Sequence, residues 1–166
     1  MIEDLSIISK VIGMLGSLMN WFHNLFQSER RLTLDHDIAV FRKLDAIANE
    51  PHLDDILNAR IPNSRFRMKD HYVLADLIAA LRRIENAFLD NNLKSRASAL
   101  ANELDQLLVF VMRTFFPIHS GYLKFYPYII DKERYDAEWK ELTQKIDKAR
   151  DAYNNFRLAV KEYLKV

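Results

Sequence analysis

Apolar residues recur along this chain in steps of three and four, and that spacing predicts helices almost throughout. The first covers about residues 3–28. Leu5, Ile8, Ile12, Leu15, Met19, Phe22 and Phe26 form one row, and Ile7, Val11, Met14, Leu18, Trp21 and Leu25 form a second beside it. Together they make a wide apolar face. The remaining face carries Ser6, Ser9, Lys10, Gly13, Ser17, Asn20 and Asn24. A second helix is predicted from about Asp37 to Asn49 on Leu34, Ile38, Phe41, Leu44 and Ala48, with Asp35 or Asp37 as its N-cap. Pro51 suits the first turn of a short helix that reaches about Arg60, where Ile61-Pro62-Asn63-Ser64 breaks it.

A third long helix is expected over about residues 69–90, on Leu74, Leu77, Leu81, Ile84 and Phe88. After an Asn91-Asn92 turn, a fourth runs over about residues 93–116 on Ala97, Leu100, Leu104, Leu107, Val111 and Phe115, and Pro117 ends it. So short a connection predicts an antiparallel hairpin. Residues 117–131 read as an aromatic loop with one short extended piece. The last helix covers about residues 132–164. Tyr135, Trp139, Leu142, Ile146, Ala149, Tyr153, Phe156, Val160 and Tyr163 make a heptad seam along it. At about 1.5 Å per residue it would be on the order of 50 Å long. That exceeds its neighbours, so its excess is expected to pack on another element or another subunit.

The pattern therefore predicts an all-α fold. It is a single helical domain over residues 1–166, a bundle of five long helices plus one short one, with residues 1–28 as a separable packing or anchoring element. The expected core includes Phe41, Leu44, Leu77, Leu81, Leu104, Leu107, Val111, Trp139, Ile146 and Phe156.

Composition removes chemistry more than it adds any. With no cysteine there is no thiolate metal site, disulfide framework or cysteine nucleophile, and the chain suits a reducing compartment such as the cytoplasm. Three glycines and four prolines leave no glycine-rich phosphate loop, and no cofactor motif is present. The 24 Lys and Arg balance the 23 Asp and Glu, so no global field draws the chain to nucleic acid, which is not an expected partner.

Arg60, Arg65, Arg67 and Lys69 put four cations within ten residues, a candidate anion or nucleic-acid contact; the competing reading pairs them with Asp54, Asp55 and Asp70. Asp35-His36-Asp37 contains a His-Asp pair of the kind that binds metal in phosphohydrolases, but the further ligands that chemistry requires are missing, so no metal site is expected. Tyr122, Phe125 and Tyr126 are either a contact surface or a cap on the core.

The first helix is the most informative feature. Only Lys10 is charged between Ser6 and Gln27, whereas a bundle helix ordinarily carries Lys and Glu on its outer face. Ser9, Gly13 and Ser17 lie four apart, a row that permits close helix approach. Trp21 and Phe22 suit an interface. The helix is read as buried in the bundle or in a homo-oligomer, as an in-plane membrane helix, or as a membrane span.

Two resemblances follow from these residues. The spacings Arg31 to His36 and Arg65 to His71 resemble the Arg-His motif of HEPN ribonucleases, small helical bundles in which such a pair acts on a scissile phosphate. The stretches HDIAVFRKLDAI (36–47), VFVMRTFFP (109–117), YLKFYPYIID (122–131) and YNNFRLAVKEYLKV (153–166) resemble a group of uncharacterised all-helical bacterial proteins. That resemblance implies a bacterial helical protein and supplies no site.

The leading expectation is a non-enzymatic interaction, scaffold or regulatory protein that binds a protein partner or itself through its first and last helices. The alternatives are a membrane-associated helical protein anchored by residues 5–26, at the inner face of a membrane, and a HEPN-like ribonuclease using His36, Arg31, His71 and Arg65.

Overall fold

The computed structural model describes residues 2–63, 65–83, 87–118, 121–126 and 131–165, with the side chains of residues 2–15 outside the description. Its fold is helical, with one small sheet. The elements are α1 (Ile2–Ile47), α2 (Glu50–Asp55) continued by a π-helical turn (Ile56–Arg60), β1 (Phe66–Arg67), α3 (Met68–Arg82), α4 (Asn91–Thr114), β2 (Phe115–Pro117), β3 (Tyr122–Phe125) and α5 (Lys132–Leu164). The chain divides into two compact units, Met1–His36 and Asp37–Val166.

The first two predicted helices are one. Residues 29–36 hold neither Pro nor Gly, so nothing in the backbone stops α1 there. Thr33 also keeps to the helix, its hydroxyl donating to the Glu29 carbonyl at 3.0 Å. Asp37 is therefore not an N-cap of its own helix. It is fully buried, and its carboxylate accepts the backbone N–H groups of Leu89 (2.7 Å) and Asp90 (3.0 Å). Asp90 in turn caps α4, accepting from the Leu93 N–H at 2.9 Å.

This relay explains why the third helix ends early. It was expected to reach residue 90, yet α3 stops at Arg82 and Arg83 is extended. The donors of Leu89 and Asp90 point to Asp37 instead of back along a helix. Phe88 still reaches the core, 3% exposed and tilted on Phe156 with ring centroids 5.9 Å apart. Ile84, expected on the same stripe, lies outside the described residues. Replacing Asp37 with alanine leaves two partly buried N–H groups without an acceptor, so a loss of about 2–4 kcal/mol is expected in urea unfolding, with Asp37→Asn intermediate.

The core of the second unit gathers Val40 and Leu44 of α1, Leu74 and Leu77 of α3, Leu100, Leu104, Leu107 and Val111 of α4, and Leu142, Ile146, Phe156 and Val160 of α5. The α5 seam beyond Leu142 is thus buried within its own unit. Two expected core residues are only half-buried. Leu81 sits in the last turn of α3, and Trp139 lies near the start of α5, where it meets Phe125 edge-on at 5.3 Å.

The short extended piece expected within residues 117–131 is β3, and two strands that were not predicted, β1 and β2, join it. β3 is central, paired antiparallel with β1 (Phe66 to Leu123) and with β2 (Phe115 to Phe125). In Tyr122-Leu123-Lys124-Phe125 burial alternates, so Leu123 and Phe125 face inward. With Phe66 and Phe115 they close one end of the core, Phe115 lying edge-on to Phe66 (6.3 Å) and Phe125 (5.6 Å).

Candidate interaction surface

Four of the charged and aromatic residues singled out from the sequence, Arg60, Arg67, Phe125 and Tyr126, are engaged inside the second unit. Asp70 is fully buried in the first turn of α3. It accepts from Arg60 Nη1, from the Arg67 backbone N–H at 3.1 Å and from Arg67 Nε at 3.2 Å. His52 Nε2 stands 3.7 Å away, and Arg60 also pairs with Asp55 at 2.5 Å. The π-helical turn brings Arg60 back towards β1, so one carboxylate ties three consecutive elements. Arg60 and Arg67 are therefore saturated by carboxylates, which corrects their reading as anion contacts. Arg65 and Lys69 are exposed.

A second network joins α5 to the end of α1 and the start of α2. Arg157 bonds Asp45 at 3.2 Å and Glu50, lies over the Phe41 ring at 5.1 Å, and is followed by Lys161 on Glu50 at 3.3 Å. Burial alone would raise the Glu50 carboxyl, but Arg157 and Lys161 outweigh it and hold the group below its ordinary 4.5. Its contribution to stability is complete above pH 4.5 and is lost as pH falls through the lowered folded value. Nearby, burial pushes the Tyr153 phenol up to about 12. Tyr153 favours the fold only while neutral. Its contribution is full below the ordinary value of 10.0 and fades as pH climbs towards about 12. A pH series of unfolding curves is expected to lose up to about 3 kcal/mol across that window, and Tyr153→Phe to remove the loss.

The aromatic loop residues separate. Phe125 is 2% exposed and belongs to the core, which corrects its reading as a contact surface. Tyr126 is half-buried at φ +35°. Its N–H reaches the Thr114 carbonyl at 3.1 Å, its hydroxyl donates to Glu138, and Arg134 lies over its ring at 5.8 Å. Tyr122 remains exposed at 36%.

Arg31 and His36 are both exposed on α1, about 140° apart around its axis at 3.6 residues per turn. Arg65 precedes β1 and His71 lies in the first turn of α3, its Nδ1 buried without a hydrogen-bond partner. Asp70, beside His71, is occupied by Arg60 and Arg67. Among the described residues no group of His, Asp or Glu has the arrangement of a metal site.

The largest departure from a solvent-adapted surface lies in the first unit. Every residue from Gly16 to Leu32 is exposed. Met19 is 72% exposed, Phe26 65% and Trp21 57%. Leu18, Phe22 and Leu25 complete the set. Trp21 and Phe22 touch only edge to face, centroids 5.1 Å apart. Ser17 is exposed, nothing lies within 4 Å of a Cβ built on Gly16, and the side chains of Ser9 and Gly13 are outside the described residues.

No family model, curated protein or solved structure matches this chain. Its residues alone carry the functional argument. Among the described residues no helix is long and apolar enough to cross a membrane, which removes the spanning reading of the first helix. A contiguous apolar surface bare to water is costly. The sequence signal for this surface was present from the start: a wide apolar face opposite an almost uncharged one. Asp37 and Asp70 were missed as structural centres because their donors come from backbone and side chains that only the fold brings near.

Proposed function

We propose that this chain is a non-enzymatic helical interaction protein. Residues 37–166 supply a self-contained helical unit, and the apolar face of α1 over residues 16–32 is the surface through which it attaches to another molecule. The observation that carries this reading is the exposure of Leu18, Met19, Trp21, Phe22, Leu25 and Phe26 on one helix. Of the cations that resembled an anion-binding set, Arg60 and Arg67 are paired with carboxylates in the fold, which supports it indirectly. The α5 seam, by contrast, is occupied within its own unit from Leu142 onward, so attachment is assigned to α1 alone.

The test compares the full chain with one lacking residues 1–28. The full chain is expected to self-associate, by light scattering, or to float with lipid vesicles. The truncated chain is expected to do neither while unfolding at the same urea midpoint. A full chain that stays monomeric and does not float would end the proposal, as would a truncated chain that behaves like it.

A further inference from the structure

Resting on that reading, we infer that the molecule covering α1 is a lipid surface of low charge, into which residues 16–28 insert lengthwise in the plane of the interface. The first argument is the width of the face. At about 100° per residue the exposed apolar side chains from Leu18 to Leu32 spread over roughly 160° of the helix circumference. They form two rows side by side, Leu18-Trp21-Leu25 and Met19-Phe22-Phe26. A helix from a second copy would seat one row as its a/d seam and leave the other bare. Each row also fails as a seam further on, at Ser28 in one register and Glu29 in the other. A lipid surface covers half a cylinder and takes both rows together.

The second argument is charge. Between Gly16 and Ser28 there is no Asp, Glu, Lys or Arg. The polar side is Ser17, Asn20, His23, Asn24, Gln27 and Ser28, all exposed, with Gln27 and His23 in contact at 3.4 Å. In-plane helices that seek anionic membranes carry Lys and Arg on that side. Over residues 16–28 this one lacks them; its nearest exposed cations, Arg30 and Arg31, follow Glu29 at the end of the exposed stretch, so attraction to headgroup charge is not the main drive. Attachment rests on burying bulky rings and aliphatic chains, which demands gaps between headgroups and makes binding sensitive to lipid packing and curvature. Trp21 stands at the edge of the apolar arc, beside the polar side, where an indole reaches the headgroup boundary. No described helix is long and apolar enough to cross.

The full chain is mixed with vesicles of phosphatidylcholine alone, of small and of large radius, and floated through a density gradient; its mass without lipid is measured by light scattering. It is expected to float with the neutral vesicles, at least several-fold more with the small ones. Phe22→Ser with Phe26→Ser is expected to reduce flotation at least tenfold, and Phe22→Leu with Phe26→Leu to keep most of it. Flotation only when anionic lipid is added would overturn the inference and leave attachment through α1 standing. No flotation with any vesicle, together with a multimeric mass that the serine pair returns to monomer, would also overturn it and make the occupant a second copy. No flotation and a monomeric mass would remove both this inference and the reading beneath it.

Discussion

Asp70→Ala is expected to destabilise the second unit by about 3 kcal/mol, and by up to about 5 if Arg60 and Arg67 cannot turn to solvent. Asp70 has no exposed surface and accepts from Arg60 Nη1, from Arg67 Nε and Nη2 and from the Arg67 backbone N–H, so its removal takes the acceptor from four donors at once. Both guanidiniums retain some contact with water, at 20% and 25% exposure, which keeps the loss towards the lower figure. Asp70→Asn retains an acceptor but not the charge and should fall between. Against a typical total of about 5–15 kcal/mol such a loss is large. Arg65→Ala and Lys69→Ala, changes at exposed positions nearby, should stay within about 0.5 kcal/mol. Urea unfolding followed by circular dichroism measures all four. A shift below about 1 kcal/mol for Asp70→Ala would mean that the carboxylate does not tie these elements together.

Changing Leu18, Phe22 and Phe26 together to serine should produce the opposite pattern. Stability of residues 37–166 should not change, because these side chains are 56%, 45% and 65% exposed and hold nothing in place. Attachment should fall by more than an order of magnitude. Fully covering a large apolar side chain is worth roughly 1.5–3 kcal/mol, and even half of that at three positions exceeds the 1.4 kcal/mol that makes a tenfold change. Unfolding curves and flotation on the same preparations separate the two effects. Equal loss of stability and attachment would show that these residues belong to the core after all.

The helices were legible because their apolar stripes are long and face one core. α4 and α5 lie within two residues of their predicted bounds, and the heptad row from Leu142 to Val160 is buried as its spacing implies. Errors came where a local signal was overridden by a partner far along the chain. Asp37 has the form of an N-cap, yet its acceptor capacity goes to Leu89 and Asp90, more than fifty residues away. The same bonds end α3 at Arg82, although the apolar spacing continues to Phe88. The small sheet escaped because its strands are two to four residues long and β1 joins β3 from more than fifty residues away. The basic cluster was visible as a cluster, but only the backward turn at Ile56–Arg60 decides that Asp70 neutralises it.

The α1 surface was legible in a different way. Its wide apolar face and uncharged polar face could be read directly, and both remain in the fold. Whether the chain buries that face itself could not be read, because burial depends on what lies opposite. Its exposure over Gly16 to Leu32 is what the proposal of a surface for another molecule rests on.

Trp21 offers the most direct measurement of that central claim. The chain has two tryptophans, and Trp139→Phe leaves Trp21 as the single reporter. In dilute buffer its emission should be that of an indole in water, in keeping with 57% exposure. On adding small phosphatidylcholine vesicles the emission should move to the blue and become shielded from a water-soluble quencher. Emission that stays red and fully quenchable with those vesicles, and at protein concentrations high enough to drive self-association, would contradict the claim that this face exists to be covered.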